Sequence, residues 1–153
     1  MRFGNVSLNS KKLANEGALC YFYDPRTMQR TGAWIKIRGA DSDAYKAKQK
    51  EIQARHRSDG NPITAEMAEK DAKEILAACS LDWGEISDEN TGDPVPFSTA
   101  NVLVALEDDE AYRQLAEFAM NRSHFLAPAL ANYSSPSGQK PDSDSPQAET
   151  TQN

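Results

Sequence analysis

Cysteine is scarce: two in 153 residues, too few for a disulfide framework or a paired metal motif. Long apolar runs are missing, and no stretch approaches the roughly 18–20 apolar residues that cross a bilayer. The first residues, MRFGNVSLNSKK, lack the apolar run of a secretory signal, so a reducing, cytoplasmic setting is the expectation. No glycine-rich phosphate loop occurs, and no serine sits in a nucleophile elbow. His56 and His124 fall on separate expected helices, without Cys or acidic partners at ligand spacing. Asp88, Asn90, Gly92 and Asp93 faintly resemble a calcium loop, but Thr99 stands where its twelfth-position glutamate belongs. The residues therefore point to no enzyme, no cofactor, no metal and no membrane span.

Charge is abundant and divided. Residues 1–57 carry 12 Lys/Arg against 5 Asp/Glu, whereas 58–153 carry 5 against 18. The densest acidic block, Asp82 to Glu117, holds ten acids and one base, Arg113. Such asymmetry can guide a partner or a second copy of the chain, so self-association is expected. The basic stretch Lys46, Lys48, Lys50, Arg55 and Arg57 is interrupted by Glu51 in an acidic chain, so nucleic acid is not the expected partner.

The fold class expected is α+β and mainly helical: an N-terminal β-hairpin, about four helices and a disordered C-terminal tail. Residues 1–17 read as a flexible arm, 18–132 as one domain and 133–153 as a Ser/Pro-rich tail that cannot bury enough apolar surface to order itself. Ala18 to Tyr23 is aromatic-rich and suits a strand. Asp24-Pro25 breaks it, and Trp34 to Ile37 forms its partner after a connection longer than a tight turn. Helices are expected from Ser42 to Arg57, Thr64 to Ser80, Ser98 to Leu106, and from Asp108 to about Leu126, each opened by an oxygen-bearing cap. Between them, Leu81 to Phe97 reads as an ordered connector, a loose hairpin with Trp83 and Phe97 pinned on the core. Trp34, Trp83 and Phe97 are the expected structural anchors. Cys20 and Cys79 read as small core residues.

Two passages carry a resemblance. One is Thr31-Gly32-Ala33-Trp34-Ile35-Lys36-Ile37-Arg38-Gly39-Ala40-Asp41-Ser42-Asp43, followed by a charged helix. The other is Leu76-Ala77-Ala78-Cys79-Ser80-Leu81-Asp82-Trp83, an Asp88–Gly92 turn, Pro94-Val95-Pro96-Phe97-Ser98, and a last helix ending Asn121-Arg122-Ser123-His124-Phe125. Their order resembles the tail assembly chaperones of long-tailed bacteriophages, over about residues 31–127. The acidic turn is longer here than the family's minimal one, and the first 17 residues match nothing in the pattern. The resemblance implies a non-enzymatic factor in the host cell cytoplasm, absent from the finished virion. It would keep the long tape-measure protein soluble, help recruit tail-tube protein during tail morphogenesis, and then give way as the tube polymerises.

The expected client contacts are apolar positions of the later helices: Ile75, Val102, Leu106, Leu115 and Phe118. Apolar periodicity more often means burial, so plain core is the commoner meaning of each of these positions. An alternative function uses the acidic block: a small acidic inhibitor or nucleic-acid mimic that binds a host protein.

Overall fold

The computed structural model describes residues 10–126. The expected tail, 133–153, and the first nine residues of the expected arm lie outside that range. The architecture is α+β, in the order α1 (Ser10–Glu16), β1 (Ala18–Tyr23), β2 (Arg30–Ile37), α2 (Asp43–Asp59), α3 (Ala65–Cys79), β3 (Ser80–Gly84), α4 (Thr99–Ala105), α5 (Asp109–Met120) and a 3-10 turn, Arg122–Phe125. The strands form one antiparallel sheet, β1-β2-β3, with β2 in the middle.

Strand alternation sorts the sheet into two faces. Cys20, Ile35 and Trp83 stand opposite one another across the strands and are all buried, as is Ile37 one step along. The neighbouring rows, Leu19–Lys36–Asp82 and Tyr21–Trp34–Gly84, point the other way. Ile75, Leu76 and Cys79 of α3, Val102 of α4, and Leu115 and Ala119 of α5 complete the core with the first face. Each large side chain buried here contributes about 1.5–3 kcal/mol of transfer free energy.

The helices start where the oxygen-bearing residues place them. Ser42, Thr64 and Ser98 accept from the backbone N–H three residues on, and Asp108 Oδ1 accepts from Glu110 and Ala111. Gly60 ends α2 in the left-handed region, φ 68°, and donates its N–H to the His56 carbonyl. Connector residues 86–95 form the expected loose hairpin, with a bridge between Ser87 and Pro94, the Asp88 N–H donating to the Asp93 carbonyl at 2.8 Å and the Gly92 N–H to the Asp88 carbonyl at 2.8 Å.

Three elements differ from the sequence reading. Ser10–Glu16 is a helix, not loose chain: Ala14 is 1% exposed, Arg38 Nε donates to the Asn15 carbonyl, and Ser10 Oγ donates to Asp41. Seven residues carry too little periodicity to announce a helix that tertiary contacts hold. Ser80–Gly84 is a third strand rather than connector, because its register against β2 buries Trp83 beside Ile35. Finally, α5 stops at Met120 instead of running to about Leu126. There the Asn121 carboxamide accepts from both Ser123 N–H and Ser123 Oγ and turns the chain into the 3-10 segment.

Candidate functional site

Four of the five expected client contacts are core. Val102, Leu106 and Leu115 are 0% exposed and Ile75 is 8% exposed. Their stripes face the sheet and each other, so no client reaches them while the domain is folded. Phe118 is different. It is half-buried, stacks on His124 at 4.0 Å and meets the Phe125 ring edge-on at 5.8 Å. Among the anchors, Trp83 is buried, donates Nε1–H to the Val95 carbonyl at 2.8 Å and packs edge-on against Phe97 at 6.0 Å. It thereby pins the connector to the sheet. Trp34 is half-buried on the opposite face and lies flat over Gly84. A Cβ on Gly84 would sit 2.5 Å from the Trp34 ring, so only glycine lets the indole cover that strand.

Phe118 lines a concavity among the described residues. A groove of about 690 Å³ runs between β1 and α5, with Leu19, Tyr21, Tyr23, Met28, Gln114 and Phe118 among its walls. Six residues of strand and twelve of helix each span about 18–20 Å, which sets its length. At one end the Gln114 carboxamide is doubly bonded to Tyr23: Tyr23 N–H donates to Oε1 at 2.9 Å and Nε2 donates to the Tyr23 carbonyl at 2.9 Å. The Tyr23 peptide groups therefore point away from β2. The register shifts between Tyr21 and Tyr23, with the extra residues on β2 rather than β1, so alternation along β1 turns the peptide groups of Tyr21 and Leu19 the same way. The β1–β2 turn holds Met28 beside this end. Asp24 accepts from Arg26 N–H at 2.8 Å and pairs with Gln29 across the turn, which leaves Met28 at φ 60° and 73% exposed.

The wall that α5 presents is polar. Glu110, Gln114, Glu117 and Asn121 recur at helical spacing along the groove. Arg113 donates to Glu110 and, at 2.8 Å, to both oxygens of Glu117, leaving one net negative charge on that stretch. Arg113 holds the Glu110 carboxyl below the ordinary range. On the open sheet face Arg30 lies 4.3 Å from the Tyr21 ring centroid, a cation–π contact. Sequence reasoning missed Leu19, Tyr23, Met28 and Gln114. One signal was legible: β1, ALCYFY, has no charge or proline, the devices that usually protect a sheet edge.

The charged halves meet within the chain. Arg55 of α2 reaches Asp71 at 3.3 Å and Glu74 of α3 at 3.2 Å, and Lys48 reaches Glu74 at 3.3 Å. His56 Nε2 lies 2.5 Å from Asp71 Oδ2, while its buried Nδ1 has no hydrogen-bond partner among the described residues. Burial pushes the Cys20 thiol up to about 12 and the Cys79 thiol up to about 11, so both stay protonated near neutral pH and nucleophilic chemistry is withheld from them. Among the described residues no three His, Cys, Asp or Glu gather as a metal-binding group, and no helix is long and apolar enough to cross a membrane. No protein-family model matches the chain, and neither a curated protein nor a solved structure matches it.

Proposed function

We propose that this chain is a binding protein rather than an enzyme: a tail assembly chaperone that keeps a phage tape-measure protein soluble in the host cytoplasm and helps bring tail-tube subunits to it. The observation that supports the reading best is the β1–α5 groove. It exposes Leu19 at 41%, Tyr23 at 38% and Met28 at 73% on a domain whose core is otherwise closed. A long helical client has apolar stripes that do not stay soluble alone. Several copies of a small domain, each offering one shallow site, can cover such stripes. Weak sites in a row hold collectively when copies also touch, and each copy remains displaceable. The client face is then the groove, with Phe118 its one member among the positions the periodicity singled out.

Co-expression tests this. The client to express is a tape-measure-like frame, long and helical, and such a frame immediately downstream of this gene would support the reading. The client's soluble fraction rises with this chain present, and the purified complex holds several copies per client. A client that stays insoluble beside well-folded chain in excess rejects the chaperone and favours the acidic inhibitor.

A further inference from the structure

The free edge of β1 is built to accept a strand. β1 closes one side of the sheet, and the outward peptide groups of Leu19 and Tyr21 have no hydrogen-bond partner among the described residues. At Tyr23 the next position along that edge is filled by the Gln114 carboxamide, which both donates and accepts at 2.9 Å. A primary amide is the side-chain copy of a peptide group. Gln114 thus marks where the peptide of an adjoining strand would lie, and it stops the edge from extending past Tyr23. The other edge of the sheet is treated differently: the Trp83 N–H of β3 is taken by the Asp82 carboxylate beside it at 2.9 Å. One edge is self-capped with a charge, and the other carries none.

The two walls specify the side chains of the occupant. In an added strand, alternate residues would lie beside Leu19 and Tyr21 on the open face, an apolar and aromatic surface on which the Arg30 guanidinium lies over the Tyr21 ring. The intervening residues would point at α5, where Glu110, Gln114, Glu117 and Asn121 form the stripe and Arg113 is already engaged by both glutamates. That wall suits a lysine or arginine and rejects a carboxylate. We propose that the β1 edge binds an extended peptide segment of a partner protein, apolar and basic at alternate positions, by β-strand addition. Only in naming the client as that partner does this rest on the chaperone reading.

The probe is a synthetic six-residue peptide of alternating valine and lysine, blocked at both ends, added to the full chain. The expected result is amide hydrogen exchange slowed about tenfold or more at Leu19 and Tyr21, with little change at Cys20 and Phe22, whose peptide groups face β2. The same peptide N-methylated on the amides facing β1 keeps its charge and should give no protection. A glutamate-for-lysine peptide should not bind. Leu19→Pro removes an outward N–H without touching the β1–β2 ladder, and should abolish binding with the circular dichroism spectrum unchanged. Should that variant misfold, Glu117→Lys at an exposed position should weaken the lysine peptide instead. Equal binding of the N-methylated peptide, or no protection at Leu19 and Tyr21, overturns strand addition. Client rescue is read separately: rescue without edge protection leaves the chaperone standing and removes this binding mode, and edge protection without rescue does the reverse.

Discussion

Gln114 and Tyr23 lie 91 positions apart and meet in a two-way amide pair, each bond 2.9 Å long. The pair fastens α5 to the end of the edge strand, and the groove opens beside it.

Loss of that pair should loosen the edge more than the fold. Gln114→Ala removes the two exposed hydrogen bonds to Tyr23 and a longer one to Glu110 at 3.3 Å, each worth about 0.5–1.5 kcal/mol at most. Urea unfolding should show a loss near the lower end, while exchange of the Tyr23 amide rises markedly. An unchanged Tyr23 exchange rate would mean that the carboxamide does not close the edge in solution.

Trp83 should be the costliest single position of the sheet. Trp83→Ala empties a buried ring site and should cost about 3–5 kcal/mol. Trp83→Phe retains most of the packing against Phe97 but strands the Val95 carbonyl, a penalty of about 1–3 kcal/mol. Urea titrations should rank wild type above Trp83→Phe above Trp83→Ala. Equal losses for the two variants would assign the stability to the hydrogen bond rather than the ring.

Local chemistry was legible in the sequence, and pairing across distance was not. Ser42, Thr64, Ser98 and Asp108 cap as their side chains predict, because a cap is decided within three residues. Strand β3 escaped detection because Ser80-Leu81-Asp82-Trp83-Gly84 gains its partner from Lys36 and its neighbours, over forty positions upstream. Ile75, Val102, Leu106 and Leu115 show why periodicity does not separate a binding stripe from a core stripe: both repeat every 3.6 residues. The division of charge raised the expectation of self-association. In the fold, Lys48 and Arg55 are answered by Asp71 and Glu74 of the same chain, which weakens the case for copies joined by those charges.

Acid should find the Asp41–Arg122 pair. The Arg122 guanidinium first, and the Ser10 hydroxyl second, hold the Asp41 carboxyl below the ordinary range. The pair joins the β2–α2 turn to the 3-10 segment at 2.8 Å. A depressed folded pKa contributes stability that is complete above the unfolded value of about 3.9 and is lost as pH falls through the lower folded value. Arg122→Ala should therefore be less stable than wild type near neutral pH, and the two curves should converge as pH falls through the lowered folded value. A gap that persists unchanged in strong acid would assign Arg122 a packing role.

Core and groove can be separated by matched aspartate substitutions. Leu115 is 0% exposed, so Leu115→Asp buries a carboxylate with no partner. The domain should unfold, because that cost exceeds the 5–15 kcal/mol margin of a typical domain unless the group protonates. Leu115→Ala is milder, at about 2–5 kcal/mol. Met28 is 73% exposed at the turn and Leu19 is 41% exposed on the open face, so Met28→Asp and Leu19→Asp should shift the melting temperature little. If the groove receives the client, these two folded variants lose most of the co-expression rescue, whereas Val104→Asp, equally exposed at 70% but on α4 outside the groove, keeps it. Rescue by all three variants would move the client face elsewhere on the domain. Loss of rescue with all three would make general surface apolarity, not the groove, the determinant.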